Sequence, residues 1–277
     1  MSYTLQDQQG LSPHAHTGYP PPAYENNRNS FAISDISSND YEYDPKNTTY
    51  KIPPKLIYDA AWVSTTSYLG TSKDQRLFAV ETPSRLINCF GLGKIILRDG
   101  TDKLSTPLAS VATEKGSKLR RSLIRVAPKP GAANQGYLEV SMSGDWSSKH
   151  EFEMPIGDGT LERFEWRSSR GEQVREVSGG FNFGWKLVRL DGPPAQPGSG
   201  KNYTSEGQEV VAVGAHPRLF HKRPQFSLLG SGARGELGET FEIVALMGFL
   251  RLYELSMQQS AINGNAAAAA STSAAVA

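Results

Sequence analysis

The residues best equipped to do chemistry fall into a few short clusters. Pro21, Pro22 and Tyr24, inside Pro20-Pro21-Pro22-Ala23-Tyr24, make a PPxY, the pattern that WW domains bind. Prolines preset the polyproline II conformation, which lowers the entropy lost on docking, and they fill aromatic grooves while the tyrosine takes an adjacent pocket. The alternative is a chance match in a tail rich in proline and tyrosine. A basic stretch follows, with Lys115, Lys118, Arg120, Arg121, Arg125 and Lys129 against Glu114 alone. On a strand over 119–126, Arg121 and Arg125 share one face and Arg120 lies on the other. Lys118, Arg120, Arg121 and Arg125 are the candidate ligands for phosphates or lipid headgroups, each cation near an anionic bilayer contributing about 1 kcal/mol. The competing reading is a solvated strand whose arginines pair with neighbouring glutamates. Arg218, His221, Lys222 and Arg223 form a second basic cluster, in a loop.

Other clusters imitate known sites without completing them. Gly230-Ser231-Gly232-Ala233-Arg234-Gly235 is a formal GxGxxG, preceded by a strand pattern at 225–229 and followed by a helix. A dinucleotide site also needs a second parallel strand with an acidic residue about 20 positions on. Only an alanine-rich segment follows this helix, so the glycines are expected to form a turn instead. Gly198-Ser199-Gly200-Lys201 matches the end of a P-loop, but Ala195 and Asn202 stand where its first glycine and its Mg²⁺-binding hydroxyl belong. His14 and His16 lie in the N-terminal tail. His150, His216 and His221 have no Cys or acidic residue at metal spacing. Cys89 has no visible activating partner and reads as a small buried hydrophobe. There is no GxSxG, although a dispersed triad stays open. The expectation is a protein with no catalytic residues, metal or cofactor.

Composition narrows the classes further. With 29 Lys and Arg against 28 Asp and Glu over 277 residues, the net charge is +1. No bulk field recruits nucleic acid or an anionic membrane, so such binding needs a local patch, and no nucleic-acid partner is expected. One cysteine excludes an internal disulfide framework and a CxxC pair. Met1–Gly10 has no apolar core of a secretory signal, and no charge-free apolar stretch reaches the ~18 residues of a transmembrane helix. A cytoplasmic protein is expected, peripheral to a membrane if the basic stretch binds lipid.

The elements that must position these residues are mostly β. Residues 1–55, rich in Ser, Asn, Pro and Tyr, lack sustained apolar periodicity and read as a disordered tail. Residues 260–277, an uncharged Ala- and Ser-rich tract, read as a second tail in which any nascent helix frays. Between them, 56–259 suffices for one substantial core. Leu138, Val140 and Met142 alternate with Glu139 and Ser141; Phe152 and Met154 alternate with Glu151 and Glu153; Phe164 and Trp166 oppose Arg163 and Glu165. This is the period of strands with one wet and one buried face. Fuller apolar runs at 77–80, 94–97 and 210–213 add strands, with turn residues between, and 191–207 reads as a long surface loop. The chain from about 240 to 258 differs. Placed at 100° per residue, its apolar side chains surround the axis, so the helix must be enclosed on all sides. Its eighteen-residue rise of about 27 Å matches the length of an eight-residue strand. These constraints predict a mainly β fold: a closed antiparallel barrel of about 10–12 strands around a hydrophobic C-terminal helix. A helix packed on an open sheet is the alternative.

Phe164-Glu165-Trp166-Arg167, Gly184-Trp185-Lys186-Leu187-Val188-Arg189 and Phe241-Glu242-Ile243-Val244-Ala245-Leu246, which opens the last helix, carry a resemblance. The chain over 56–259 resembles the tubby C-terminal-like superfamily of tubby, LURP-one-related proteins and phospholipid scramblases, above all its uncharacterised fungal members. The resemblance implies the barrel and barely constrains function, because these are packing residues. The phosphoinositide-binding lysines of tubby and the palmitoylated Cys cluster of scramblases have no counterparts here. Two activities are therefore expected to compete: a peripheral lipid-headgroup module using the basic stretch, or an adaptor or substrate recruited through the PPxY by a WW-domain protein such as a ubiquitin ligase.

Overall fold

The structure, a computed structural model, describes residues 51–60, 64–82, 93–114, 116–117, 121–129, 136–144, 149–180, 183–195, 200–216 and 223–274. Among these, twelve strands form one closed antiparallel barrel. They are β1 (Lys55–Asp59), β2 (Thr66–Gly70), β3 (Arg76–Glu81), β4 (Ile95–Arg98), β5 (Pro107–Thr113) and β6 (Arg121–Val126), then β7 (Leu138–Gly144), β8 (Lys149–Pro155), β9 (Leu161–Ser169), β10 (Gly184–Arg189), β11 (Val210–Ala215) and β12 (Gln225–Leu228). Each strand pairs with its sequence neighbours, and β12 closes the ring on β1 through Lys55↔Ser227, Leu56↔Phe226 and Ile57↔Gln225. The alternation seen in sequence is the inside–outside pattern of the wall. His150, Phe152 and Met154 of β8 are buried while Lys149, Glu151 and Glu153 are exposed. Ile52, already buried in the core, precedes the first strand.

The apolar run in β11 has a different cause. All six of its residues are buried, because the strand is covered on both faces. Val211 and Ala212 join the main core. On the outer side, α1 (Glu172–Ser178) lays Val174 and Val177 against Val210, Val213 and Ala215. The helix ends at Gly179, whose left-handed backbone (φ 66°) suits glycine.

The glycine-rich 230–235 segment forms no nucleotide fold. Its first residues make the single-turn α2 (Gly230–Ala233), which follows the antiparallel β12 and leads into the last helix. Gly232 is required there, since a Cβ would stand 2.5 Å from the Val211 carbonyl oxygen.

The last helix, α3 (Glu239–Ala274), fills the barrel. Every residue from Phe241 to Leu255 is buried. The helix meets the wall around its whole circumference. Tyr253 packs edge-on against Tyr58 of β1 at 5.6 Å, Phe249 stacks on Phe226 of β12 at 5.7 Å, and Phe241 meets Phe164 of β9 at 4.9 Å. Arg251 reaches Thr113 of β5 and Ser122 of β6. Close approach depends on two glycines: a Cβ on Gly214 would sit 2.1 Å from the Phe249 ring, and one on Gly248 would sit 2.7 Å from the Trp166 indole nitrogen. The backbone stays helical past the wall to Ala274, through the tract expected to fray. The anchored part has already met the cost of nucleation, and alanine propagates helix well. Among the described residues no helix is long and apolar enough to cross a membrane.

One carboxylate lies near the start of the enclosed helix. Glu242 is buried, accepts the Ile52 backbone N–H and has an Oε2 with no partner. Burial raises its pKa above the ordinary 4.5, Glu239 adds to the rise, and the Ile52 hydrogen bond and Lys51 oppose it. The ionised form therefore costs stability at neutral pH, and that cost is relieved as pH falls through the raised pKa. Glu242→Gln, which keeps the acceptor for Ile52, is expected to melt higher than the wild type at pH 7. The difference should narrow as pH falls through the raised pKa, as read by thermal melts from neutral to acidic pH.

Candidate functional site: a cationic rim

Because every neighbouring pair is antiparallel and the strands follow one another around the ring, all odd-numbered strands end at the same end of the barrel. The contacts of Arg251 with Thr113 and Ser122, and of Tyr253 with Tyr58, show that α3 leaves through that end. It is called the exit end below, and the opposite one the far end. The topology sorts charge between them. The segments that connect strands at the exit end (60–65, 82–94, 114–120, 145–148, 170–183, 216–224) hold ten Lys and Arg against four Asp and Glu in sequence, of which Arg85, Lys115, Lys118, Arg120, Asp145, Arg218 and Lys222 lie outside the described residues. The far-end connections (71–75, 99–106, 127–137, 156–160, 190–209, 229–238) hold five against eight, with Lys201 and Glu206 of the long 190–209 connection reaching back along the wall to α1 and Arg167. By sequence the exit-end connections thus sum to +6 and the far-end ones to −3; among the described residues the exit-end connections hold Lys94, Arg170, Arg175 and Arg223 against Glu114, Glu172 and Glu176. Of the first basic stretch, Lys115, Lys118 and Arg120 belong to the 114–120 connection, Arg121 and Arg125 to β6 and Lys129 to the far end; the second stretch belongs to the 216–224 connection.

Of the candidate headgroup ligands, Lys118 and Arg120 lie outside the described residues, as do the PPxY residues Pro21, Pro22 and Tyr24, and also Cys89, Arg218, His221 and Lys222. Arg121 opens β6 and is exposed, and among the described residues it has no carboxylate partner. Arg125 lies on the same outer face, as the alternation predicts. It is engaged by Glu139, its cross-strand neighbour on β7, at 2.8 Å. For Arg125 the arrangement is thus the paired one that competed with lipid binding in the sequence. Lys129, at the far end, pairs with Glu239 at 2.8 Å, and Arg223 pairs with Asp59 at 3.0 Å.

The wall adds cations that no run of sequence announces. Lys149 of β8 stands opposite Arg167 of β9, which stands opposite Lys186 of β10. Directly opposed residues lie about 5 Å apart, so three cations form one lateral row on the outer surface near the exit end. Arg170 and Arg175, after β9, are exposed and have no carboxylate partner among the described residues. Together with Arg121 these residues continue the rim from β6 to β10. For Lys149, Arg167 and Lys186 the only signal in the sequence is register, since they are separated by 18 and 19 positions and become neighbours through hairpin pairing.

Carboxylates thread the same surface. Glu165 holds Arg167 and reaches Lys149 at 3.6 Å, while Glu206 and Gln208 take the other guanidinium nitrogens of Arg167 at 3.2 and 3.0 Å. Glu151 shares a hydrogen bond with Glu165 that raises its pKa, and Glu165, held by Arg167, is lowered despite its burial. At the far end, Arg189 makes a bidentate pair with Glu162 at 2.5 and 2.6 Å, and Glu209 accepts the N–H and hydroxyl of Ser231 at 2.7 and 2.8 Å. That buried network binds β9, β10 and α2 together. Lys201, in the partial P-loop match, is committed to Glu172 and Glu176 of α1 at 3.1 Å each. His216 packs in an aromatic cluster with Phe183, Trp185 and Tyr253. Among the described residues no group of three or more His, Cys, Asp or Glu could hold a metal. No protein-family model, curated protein or solved structure matches the chain, so the site rests on its own geometry.

Proposed function

We propose that this is a non-catalytic, tubby-like barrel protein of the cytoplasm that binds anionic membrane surfaces peripherally through the exit-end rim. The observation that carries this reading is the outward row of Lys149, Arg167 and Lys186, supported by connecting sequences at that end that hold ten Lys and Arg against four Asp and Glu. A filled lumen supports it from a different side: with α3 buried from Phe241 to Leu255, the barrel interior is packing, and binding falls to the outer wall and the loops. Each rim cation brought to an anionic leaflet contributes about 1 kcal/mol, screened over a Debye length of about 8 Å at physiological salt. The full chain is expected to sediment with anionic but not neutral vesicles, more weakly as salt rises. Arg120→Glu with Arg121→Glu is expected to reduce that binding at least about tenfold. Unchanged binding by the reversed variant, or equal binding to neutral vesicles, would sink the proposal.

The PPxY supports a second reading, an adaptor or substrate recruited by a WW-domain protein. Its support is the sequence motif at Pro21, Pro22 and Tyr24, upstream of the point where the chain joins the barrel at Ile52. Tyr24→Ala is expected to abolish WW-domain binding in a pull-down and leave vesicle binding intact. The two activities are compatible.

A further inference from the structure

The cations of the outer wall are matched by carboxylates, and the match is uneven. Along the β8–β9 ladder the outer face carries Lys149↔Arg167, Glu151↔Glu165 and Glu153↔Arg163. Two of these three pairs oppose like charges, which is destabilising unless diagonal neighbours compensate. The compensation goes to one carboxylate. Glu165 is buried, holds Arg167 and lies 3.6 Å from Lys149. Glu151 is exposed and makes no ion pair among the described residues; it faces Glu165 on one side and neutral Ser143 of β7 on the other. The charged groups around the pair have partners of their own: Asp191 holds Arg163, Glu206 also takes Arg167, and Arg125 takes Glu139 of β7. A hydrogen bond with Glu165 raises the Glu151 pKa above the ordinary 4.5; burial and the Glu165 charge add to the rise, and Lys149 and Arg163 oppose it. Burial lifts Glu165 as well, but Arg167 and the Glu151 hydrogen bond bring it below the ordinary value. At neutral pH Lys149, Arg167 and Lys186 thus stand against three ionised carboxylates, Glu151, Glu165 and Glu206. One proton on the Glu151–Glu165 pair leaves the row with a positive charge over.

We propose that Glu151 and Glu165 form a proton-operated switch on the row: both ionised, they hold it neutral, and sharing one proton, they release a positive charge toward an anionic surface. This is regulation of the membrane-surface binding proposed above and rests on that reading. The two carboxyls titrate as a pair, in two steps. The first proton removes the opposition of Glu151 to Glu165 and leaves Arg167 and Lys149 in place on Glu165. Because linkage is reciprocal, a surface that prefers the protonated pair also raises its affinity for the proton. An anionic leaflet at about −30 mV concentrates protons about threefold at its surface. The switch therefore turns at a higher bulk pH on the membrane than in solution.

The test uses the full chain and phosphatidylcholine vesicles made anionic with phosphatidylglycerol, a phosphodiester that stays ionised across the range. Sedimentation is followed from neutral to acidic pH at fixed ionic strength, for wild type and for Glu151→Gln. At neutral pH the variant is expected to bind about fivefold more tightly, the effect of one charge at such a surface. The ratio should close toward one as pH falls through the raised Glu151 pKa. Histidines that titrate in the same range are common to both proteins and cancel in the ratio. A second arm follows the side-chain carboxyl resonances of wild type by NMR without vesicles, where Glu151 is expected to titrate above 4.5 and Glu165 below it. A Glu151 midpoint at or below 4.5 overturns the switch, whatever the vesicles show. A raised midpoint with equal binding of the two proteins at every pH overturns the switch and leaves the rim reading standing. No sedimentation of either protein at any pH, with the raised midpoint present, keeps the shared proton and overturns the rim reading.

Discussion

Leu246→Asp is expected to unfold the barrel. Leu246 is fully buried, near the middle of the enclosed part of α3, with wall on every side of the helix. An aspartate there loses the packing of a leucine and places a carboxylate where no water reaches. The combined cost, above about 4 kcal/mol, is a large part of the stability of an ordinary domain. Circular dichroism should show no cooperative melt for this variant. Leu246→Met, which keeps the volume, should lose less than about 1.5 kcal/mol. A Leu246→Asp protein that kept the wild-type melting temperature would mean that α3 is not enclosed.

The second large effect concerns Arg251, a buried guanidinium inside the lumen. Its Nε donates to the Ser122 hydroxyl at 3.1 Å and its Nη2 to Thr113, while Nη1 has no partner. Burial pushes its pKa down to about 10, against the attraction of Glu254. It therefore stays charged at neutral pH, held mainly by two hydroxyl oxygens. Removing the acceptors and removing the charge should act in opposite directions. Thr113→Val with Ser122→Ala strands a buried charge and is expected to cost about 3 kcal/mol or more. Arg251→Met fills a similar volume without the desolvation penalty, and is expected to be neutral or stabilising by about 1 kcal/mol or more. Urea titrations of the three proteins would measure both. If Arg251→Met destabilises as much as the hydroxyl pair, the arginine contributes net stability and this account of the lumen is wrong.

Much of the architecture was legible in the residues. Period-two alternation in 138–142, 151–154 and 163–166 is a local property, fixed by which neighbours are apolar, and those segments are β7, β8 and β9. The all-round apolar face of 241–255 demanded enclosure, and enclosure is what α3 has. Short α1 was not legible, because two valines on seven residues give no periodic signal. Its presence explains why β11 is apolar on both faces. The helical continuation to Ala274 was also unexpected, since isolated-peptide reasoning omits the anchored helix on which that segment grows.

For the candidate site the balance is different. Residue order alone shows that cations cluster at 115–129 and 218–223, that the all-round apolar helix needs enclosure, and that the nucleotide and metal patterns are incomplete. It took the folded chain to show that Arg125 is held by Glu139, that Arg121 has no carboxylate partner among the described residues, and that Lys149, Arg167 and Lys186 form one row. The same holds for the match of Arg251 to Thr113 and Ser122 across more than a hundred residues. The reason is register. Alternation sets the face on which a side chain lies, but which residue lies opposite depends on hairpin lengths, bulges and the closure of the whole ring, and these emerge only when all twelve strands are paired.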